Sequence, residues 1–251
     1  MKYIRFSHHE KVYFGELEGE TVFVLDRSYF EGDCQRTGVQ YNLNEVKLLT
    51  PVQPSKILCI GLNYAKHIEE LGHAHHEDPV IFLKPLTTLI GPEEEIIIPS
   101  MSKQVEYEGE LVVVIGKSLK NVTEAQVHDS IFGYTCGNDV TARDLQRKDG
   151  QWTRSKGFDT FCPIGPWIVT DLDPSELEIR SVLNGEVKQS SNTEYLIHTI
   201  PKLVSYISQI MTLYPGDVIM TGTPEGVGPM KAGDEISIQI EGIGGLRNIV
   251  S

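Results

Sequence analysis

The sequence predicts an α+β fold in which β-structure dominates. Three observations lead there. Short alternating or apolar runs recur along most of the chain, helical spacing is found at only two or three places, and one run, GELVVVIGK (109–117), is apolar enough to be buried on both faces. The 251 residues suit one large domain, or a core domain with a small appendage.

Taken in order, residues 1–50 carry the runs YIRF, KVYFGEL and TVFVL, broken by Gly15 and Gly19. They predict a small β-rich unit built of hairpins. Pro51 and Pro54 mark residues 51–55 as a linker, leaving 56–251 as the main domain. KILCIG (56–61) predicts a buried strand. NYAKHIEELG (63–72) predicts a helix capped by Asn63 and stopped by Gly72. VIFLKP (80–85) and EIIIP (95–99) predict further strands. SELEIRSVLNGEVKQSS (175–191) predicts a hairpin turning at Asn184-Gly185. In 199–213, Ile200, Leu203, Val204, Ile207, Ile210 and Met211 recur at helical spacing, with Pro201 tolerated in the first turn. DVIMTG and DEISIQIEG predict late strands.

Composition excludes some functions. Lys plus Arg total 22 against 35 Asp plus Glu, a net charge of −13, and no basic cluster offsets it. Such a chain repels nucleic acid. The N-terminus has no apolar segment of signal type, and no apolar run approaches the roughly 20 residues that span a bilayer. A cytoplasmic protein without membrane partners is expected. Cys34, Cys59, Cys136 and Cys162 are far apart with no C-x-x-C pair, which predicts reduced thiols.

Several stretches could carry chemistry. In VEYEGELVVVIGK, Glu106, Glu108 and Glu110 alternate and so share one strand face. They form either a solvated strand end or a site for a hard cation such as Mg²⁺, Mn²⁺ or Ca²⁺. Asp139 follows a small-residue stretch and offers a third carboxylate, with Arg143 and Asp144 in the next turn. His67 and Glu70, at i and i+3, share a helix face, where Glu70 can fix the imidazole tautomer. Neighbours of this kind are also common on surfaces. His73, His75 and His76 follow in GHAHHEDP, without the spacing of a zinc site; a loop acting as a lid fits better. Lys156 could be a surface lysine or the partner of a substrate carboxylate. TGTPEGVG (221–228) could be a plain tight turn, or its amides and Thr223 could cradle an anion.

Together these stretches resemble the fumarylacetoacetate hydrolase family. The motifs come in that family's order: G-x-N-Y-x-x-H-x-x-E at 61–70, F-L-K-P at 82–85, Y-E-x-E-L-x-x-V-I-G-K at 107–117, N-D-x-T-A-R-D-x-Q at 138–146, W-x-x-x-K-x-F at 152–158 and T-G-T-P-x-G-V-G at 221–228. The resemblance covers nearly all of 56–251. It implies a mixed β-sandwich roll with a small N-terminal β-rich unit, and a homodimer. It implies Glu108, Glu110 and Asp139 as ligands of Mg²⁺ or Mn²⁺, with Ca²⁺ as an alternative, and Glu106 as a support rather than a ligand. It further implies His67, Glu70 and Lys156 as catalytic residues, and Gln146, Thr223 and Arg143 at the substrate. Whether Arg143 touches substrate or braces Asp139 and Asp144 stays open.

The implied substrate is a small 2-oxo acid, which can chelate one ion through its carboxylate and 2-oxo oxygens. The resulting electron sink serves hydrolysis or decarboxylation of acylpyruvate or oxaloacetate type. It equally serves isomerisation or decarboxylation of hydroxymuconate-type diacids in aromatic catabolism. A non-catalytic metabolite-binding relative is the reading from outside enzymology.

Overall fold

The computed structural model describes residues 1–72 and 76–251. His73 and His75, with the middle of the expected lid, lie outside the described residues.

The strand Gly109–Ile115 organises the core. Its seven residues are all buried, and they alternate between two hydrophobic cores. Leu111, Val113 and Ile115 enter one, while Val112 and Val114 enter the other. A strand covered on both faces needs a continuous apolar run, which is what GELVVVI supplies. It sits inside a 12-stranded sheet whose main path runs Arg36–Asn42, Thr21–Leu25, Lys11–Glu18, Lys2–His8, Cys162–Val169, Ile131–Asn138, Gly109–Ile115, Val218–Met220, Ile57–Gly61, Val80–Lys84. Lys47–Leu49 and Leu89–Ile90 join this path from the side.

The first core is closed by a five-stranded sheet and by a helix. The sheet contains the hairpin Glu178–Leu183 and Glu186–Asn192, then Glu235–Ile240, Gly244–Val250 and Glu95–Ile96. The hairpin turns where predicted: Asn184 has φ 53 and Gly185 has φ 82, the left-handed pair of a tight two-residue turn. The helix Ile200–Ile210 buries Leu203, Val204 and Ile207. The expected stripe ends there. Ile210 is exposed, and Met211 has already left the helix in an extended conformation.

The second core joins the N-terminal strands to the rest. Leu25 and Tyr29 pack in the same cluster as Ile57, Cys59, Cys162, Ile164 and Met220. Lys2 and Tyr3 pair with Val169 and Ile168, so the N-terminal sheet continues into the larger one. Tyr29 stacks on Phe132 with centroids 5.5 Å apart and donates its hydroxyl to the Pro51 carbonyl. Within 51–55, Val52 is fully buried, and Asp217 accepts from the Ser55 amide at 2.9 Å and its hydroxyl at 2.7 Å. The strand Arg36–Asn42 is one the sequence runs above do not include; it is an almost wholly exposed edge strand. All four cysteines are free thiols. Among the described residues no helix is long and apolar enough to cross a membrane.

The helix expected over 63–72 forms as Ala65–Leu71 and is stopped by Gly72 at φ 66. Asn63 does not cap it. Its Oδ1 accepts from the His198 amide at 2.7 Å, and its Nδ2 donates to the carbonyls of His198 and Thr221 at 3.1 and 2.8 Å. Distant partners thus take an asparagine that local reading assigns to the helix.

Because the N-terminal strands share a core with the main domain, Tyr29→Ala is expected to destabilise the whole chain. The expected loss is roughly 3 kcal/mol or more, in one cooperative urea transition. Two separable transitions would show that residues 1–50 unfold independently.

Candidate active site

The chain changes sheets at Glu108. Val105–Tyr107 belongs to a three-stranded sheet with Thr141–Ala142 and Gly228–Met230, whereas Gly109–Ile115 belongs to the large sheet. The three glutamates therefore do not lie along one regular strand as expected. At the crossover the Glu108 amide donates to Asn138 Oδ1 and the Glu108 carbonyl accepts from the Asp139 amide, both at 2.9 Å. The second bond ties two of the expected metal ligands together through the backbone. One carboxylate oxygen from each of Glu108, Glu110 and Asp139 falls within 4.8 Å of the others, and all three residues are buried.

Charge is unevenly matched in this cluster. Glu106, Glu108, Glu110 and Asp139 are buried together with Lys84, Arg143 and Lys156. Lys156 bridges Glu108 at 2.8 Å and Asp139 at 2.6 Å. Lys84 pairs with Asp139 and donates to the Val140 carbonyl at 3.1 Å. Arg143 pairs with Glu108, and with Glu106 at 2.7 Å. It braces neither Asp139 nor Asp144; Asp144 instead accepts from Ser102 and Lys103. Glu110 has no cation partner among the described residues and accepts only from the Gly222 amide, at 2.8 Å.

These contacts set the protonation states. Burial, and then the charges of Asp139 and Glu108, hold the Glu110 carboxyl well above its usual range. Burial pushes Glu108 up as well, but Lys156 and Arg143 outweigh it and hold that carboxyl below its usual range. Burial works against the Lys156 ammonium, yet Asp139 and Glu108 more than offset it. His67 is lowered mainly by burial, with Glu108 and Glu70 offsetting only part, so the ring is neutral at pH 7.

His67 is 4% exposed, and its Nδ1 lies 3.2 Å from Glu70 Oε2. Glu70 also accepts from the Gly226 amide at 3.1 Å. The glycine-rich turn thus spends its amides on the protein's own carboxylates: Gly222 on Glu110 and Gly226 on Glu70. Whichever of the two sequence readings holds, tight turn or anion cradle, these two amides are taken up by the chain's own carboxylates. Thr223 donates to the Gly109 carbonyl at 2.9 Å, and Gln146 Oε1 accepts from Arg143 at 2.5 Å. A cavity of about 20 Å³ opens among His67, Glu108, Glu110, Asp139, Arg143, Gln146, Lys156 and Thr223, walled by Ile60, Phe82 and Trp152. Eight of the nine expected site residues line it; Glu70 stands behind His67. Lys84 was missed as a site residue. Its traces in the sequence are a lysine inside an otherwise apolar run and its place in the F-L-K-P motif at 82–85. His76 is exposed and outside the cavity lining.

An all-carboxylate donor set with one uncompensated member fits a hard divalent cation. A carboxyl whose pKa is raised on folding stabilises the fold while protonated, and that contribution is lost as pH rises through the folded value. Without divalent ions, the urea midpoint is therefore expected to fall as pH rises through the raised Glu110 value, and Glu110→Gln should remove that fall. Mn²⁺ uptake is expected to release protons at pH values between the ordinary carboxylate range and the raised Glu110 value, read by calorimetry in buffers of different ionisation enthalpy. Uptake without proton release would contradict a protonated Glu110.

Comparisons with known proteins show the family. Residues 56–251 match the family model described as fumarylacetoacetate (FAA) hydrolase C-terminal, and residues 1–51 match one described as Rv2993c-like, N-terminal. Protein Rv2993c of Mycobacterium tuberculosis is 57% identical over 217 residues, covering 85% of this chain and 82% of that protein. Oxaloacetate tautomerase Fahd2a, mitochondrial, of Rattus norvegicus is 43% identical over 219 residues, covering 82% of this chain and 70% of that protein. The crystal structure of 5-carboxymethyl-2-hydroxymuconate delta-isomerase from Mycobacterium smegmatis superposes with a TM-score of 0.94 at 50% identity, covering 100% of this chain and 99% of that one. The chain belongs to the fumarylacetoacetate hydrolase family.

Proposed function

We propose that this chain is a divalent-metal-dependent enzyme acting on a small 2-oxo acid of acylpyruvate or oxaloacetate type, cleaving a C–C bond by hydrolysis or decarboxylation. One observation carries the reading. Glu110, the carboxylate without a cation, faces the same cavity as a neutral His67. Glu108, Glu110 and Asp139 would hold Mg²⁺ or Mn²⁺; Ca²⁺ takes the same oxygens but asks for more of them. With that ion bound and Glu110 ionised the cluster would carry one excess positive charge, which a single substrate carboxylate neutralises. When bound, the ion supplies a Lewis acid for the carboxylate and 2-oxo oxygens of the substrate.

The chain's own residues do the rest. Lys84 and Lys156 pair with Asp139 and fix its carboxylate in place, and Arg143 pairs with Glu108 in the same way. Glu70 engages His67 through Nδ1 and leaves Nε2 as the nitrogen that can meet a proton. In hydrolysis, His67 takes a proton from water as the water oxygen bonds to C4. The C3–C4 bond then breaks, its electron pair passes into the C2–C3 enolate, and C3 recovers the proton. Ile60, Phe82 and Trp152 keep bulk water from the reacting atoms.

A second reading is isomerisation or tautomerisation. It draws support from the printed names of the 43% identical tautomerase and the 50% identical isomerase. The same histidine would then carry a proton between two substrate atoms. A panel of oxaloacetate, acetylpyruvate, fumarylpyruvate and a carboxymethyl-hydroxymuconate, each with Mg²⁺ or Mn²⁺, separates the two. Isomerised product without cleavage of any panel member would overturn the first.

Asp139→Asn is expected to abolish metal-dependent turnover, and full activity of that variant after chelation would reject the metal. His67→Ala should keep Mn²⁺ affinity while lowering turnover by roughly 10²-fold or more. Unchanged turnover would remove His67 from the mechanism.

A further inference from the structure

The hairpin formed by Glu178–Leu183 and Glu186–Asn192 supplies no group to the chemistry proposed above. One of its side chains nevertheless reaches both halves of the site. Gln189 is 1% exposed, and its amide is fully engaged. Oε1 accepts from the Gly109 amide at 2.9 Å and the Ser181 hydroxyl at 2.6 Å. Nε2 donates to Thr223 Oγ1 at 2.9 Å and to the Pro224 carbonyl at 2.7 Å. Two accepted and two donated bonds exhaust a carboxamide, and only this orientation of the amide satisfies all four neighbours. Thr223 in turn donates to the Gly109 carbonyl at 2.9 Å. Both polar groups of Gly109 are thus held, one by Gln189 and the other by the residue that Gln189 holds.

Gly109 is the residue between Glu108 and Glu110, at the point where the chain changes sheets. Rotation there would swing the two carboxylates relative to each other. The hairpin also presses on Gly109 directly, since a Cβ at that position would lie 2.4 Å from Ser181 Oγ and 3.3 Å from Gln189 Oε1. We infer that Gln189 is a positioning residue: it sets the relative placement of the Glu108 and Glu110 carboxylates and ties that placement to Thr223. The inference rests on the metal-site reading above.

A merely structural Gln189 would lower stability without selecting the metal site. The test compares Gln189→Ala with Ile179→Ala, a fully buried residue of the same hairpin whose apolar side chain belongs to the hydrophobic core and can make no hydrogen bond to the site. Mn²⁺ affinity is measured by calorimetry on the full chain, and the urea midpoint is taken for each variant. Gln189→Ala is expected to weaken Mn²⁺ binding by roughly 10- to 100-fold, the usual effect of removing a group that orients a ligand. Ile179→Ala should lower the midpoint at least as much and leave Mn²⁺ affinity within error of wild type. Should Gln189→Ala fail to fold, Gln189→Met keeps the length and removes all four hydrogen bonds, with the same expectation. Wild-type affinity in the Gln189 variant, or an equal loss in Ile179→Ala, overturns the inference. A wild-type chain that takes up no Mn²⁺ would instead remove the metal-site reading, and this inference with it.

Discussion

Four carboxylates buried against three cations is the constraint on which the rest of the site depends. A lone ionised carboxylate in a protein interior costs several kcal/mol, so the excess must be discharged by a proton, by a bound cation or by exposure. The fold forbids exposure, because Glu110 is 1% accessible and sits on a strand buried on both faces. That leaves a proton or a cation. The proton leaves the cluster neutral, whereas a divalent cation would leave it with one excess positive charge, and only the second favours an anion in the cavity. The same imbalance explains why three cations crowd around Glu106, Glu108 and Asp139 while Glu110 receives only a backbone amide.

The fold places this cluster at the meeting point of three sheets. Glu108 stands where the chain leaves the three-stranded sheet for the large one, and Asp139 stands where Ile131–Asn138 ends. Strand ends offer backbone groups without ladder partners, and these must be paired some other way. Asn138 takes the Glu108 amide and Gln189 takes the Gly109 amide. The side-chain amides therefore do at the crossover what the ladder does along the strand, with the advantage that each can be aimed.

What could be read from the sequence was what depends on near neighbours. The all-buried run 109–115, the Asn184-Gly185 turn and the apolar stripe from Ile200 to Ile207 formed as the patterns predicted, while Ile210 and Met211 fell outside that stripe. Readings that needed a distant partner fared worse. Asn63 looks like a helix cap until residues 198 and 221 claim its amide. Lys84 gives no hint of Asp139, which lies 55 residues on. A glycine-rich turn announces free amides, but not that Glu110 and Glu70 occupy two of them. The site itself was legible only through the order of its motifs. Spacing alone says nothing about whether Glu108, Glu110 and Asp139 converge, because a crossover between sheets brings them together.

Residues 221–228 connect the carboxylate side of the site to the imidazole side. The Gly222 amide holds Glu110, and Thr223 holds the backbone between Glu108 and Glu110. Three residues later the Gly226 amide holds Glu70, which orients His67, and Glu225 pairs with Lys66 of the same helix at 3.5 Å. Tyr107, next to Glu108, closes the circuit by donating to the Gly226 carbonyl at 2.9 Å. The carboxylate cluster and the imidazole are thus referred to one short stretch of backbone. Any shift of that stretch moves the carboxylates and the imidazole together, which preserves their mutual distance better than independent supports would. The tight seating of Gly226 against the hairpin, where a Cβ would lie 2.4 Å from the Lys188 carbonyl, keeps the stretch from shifting on its own.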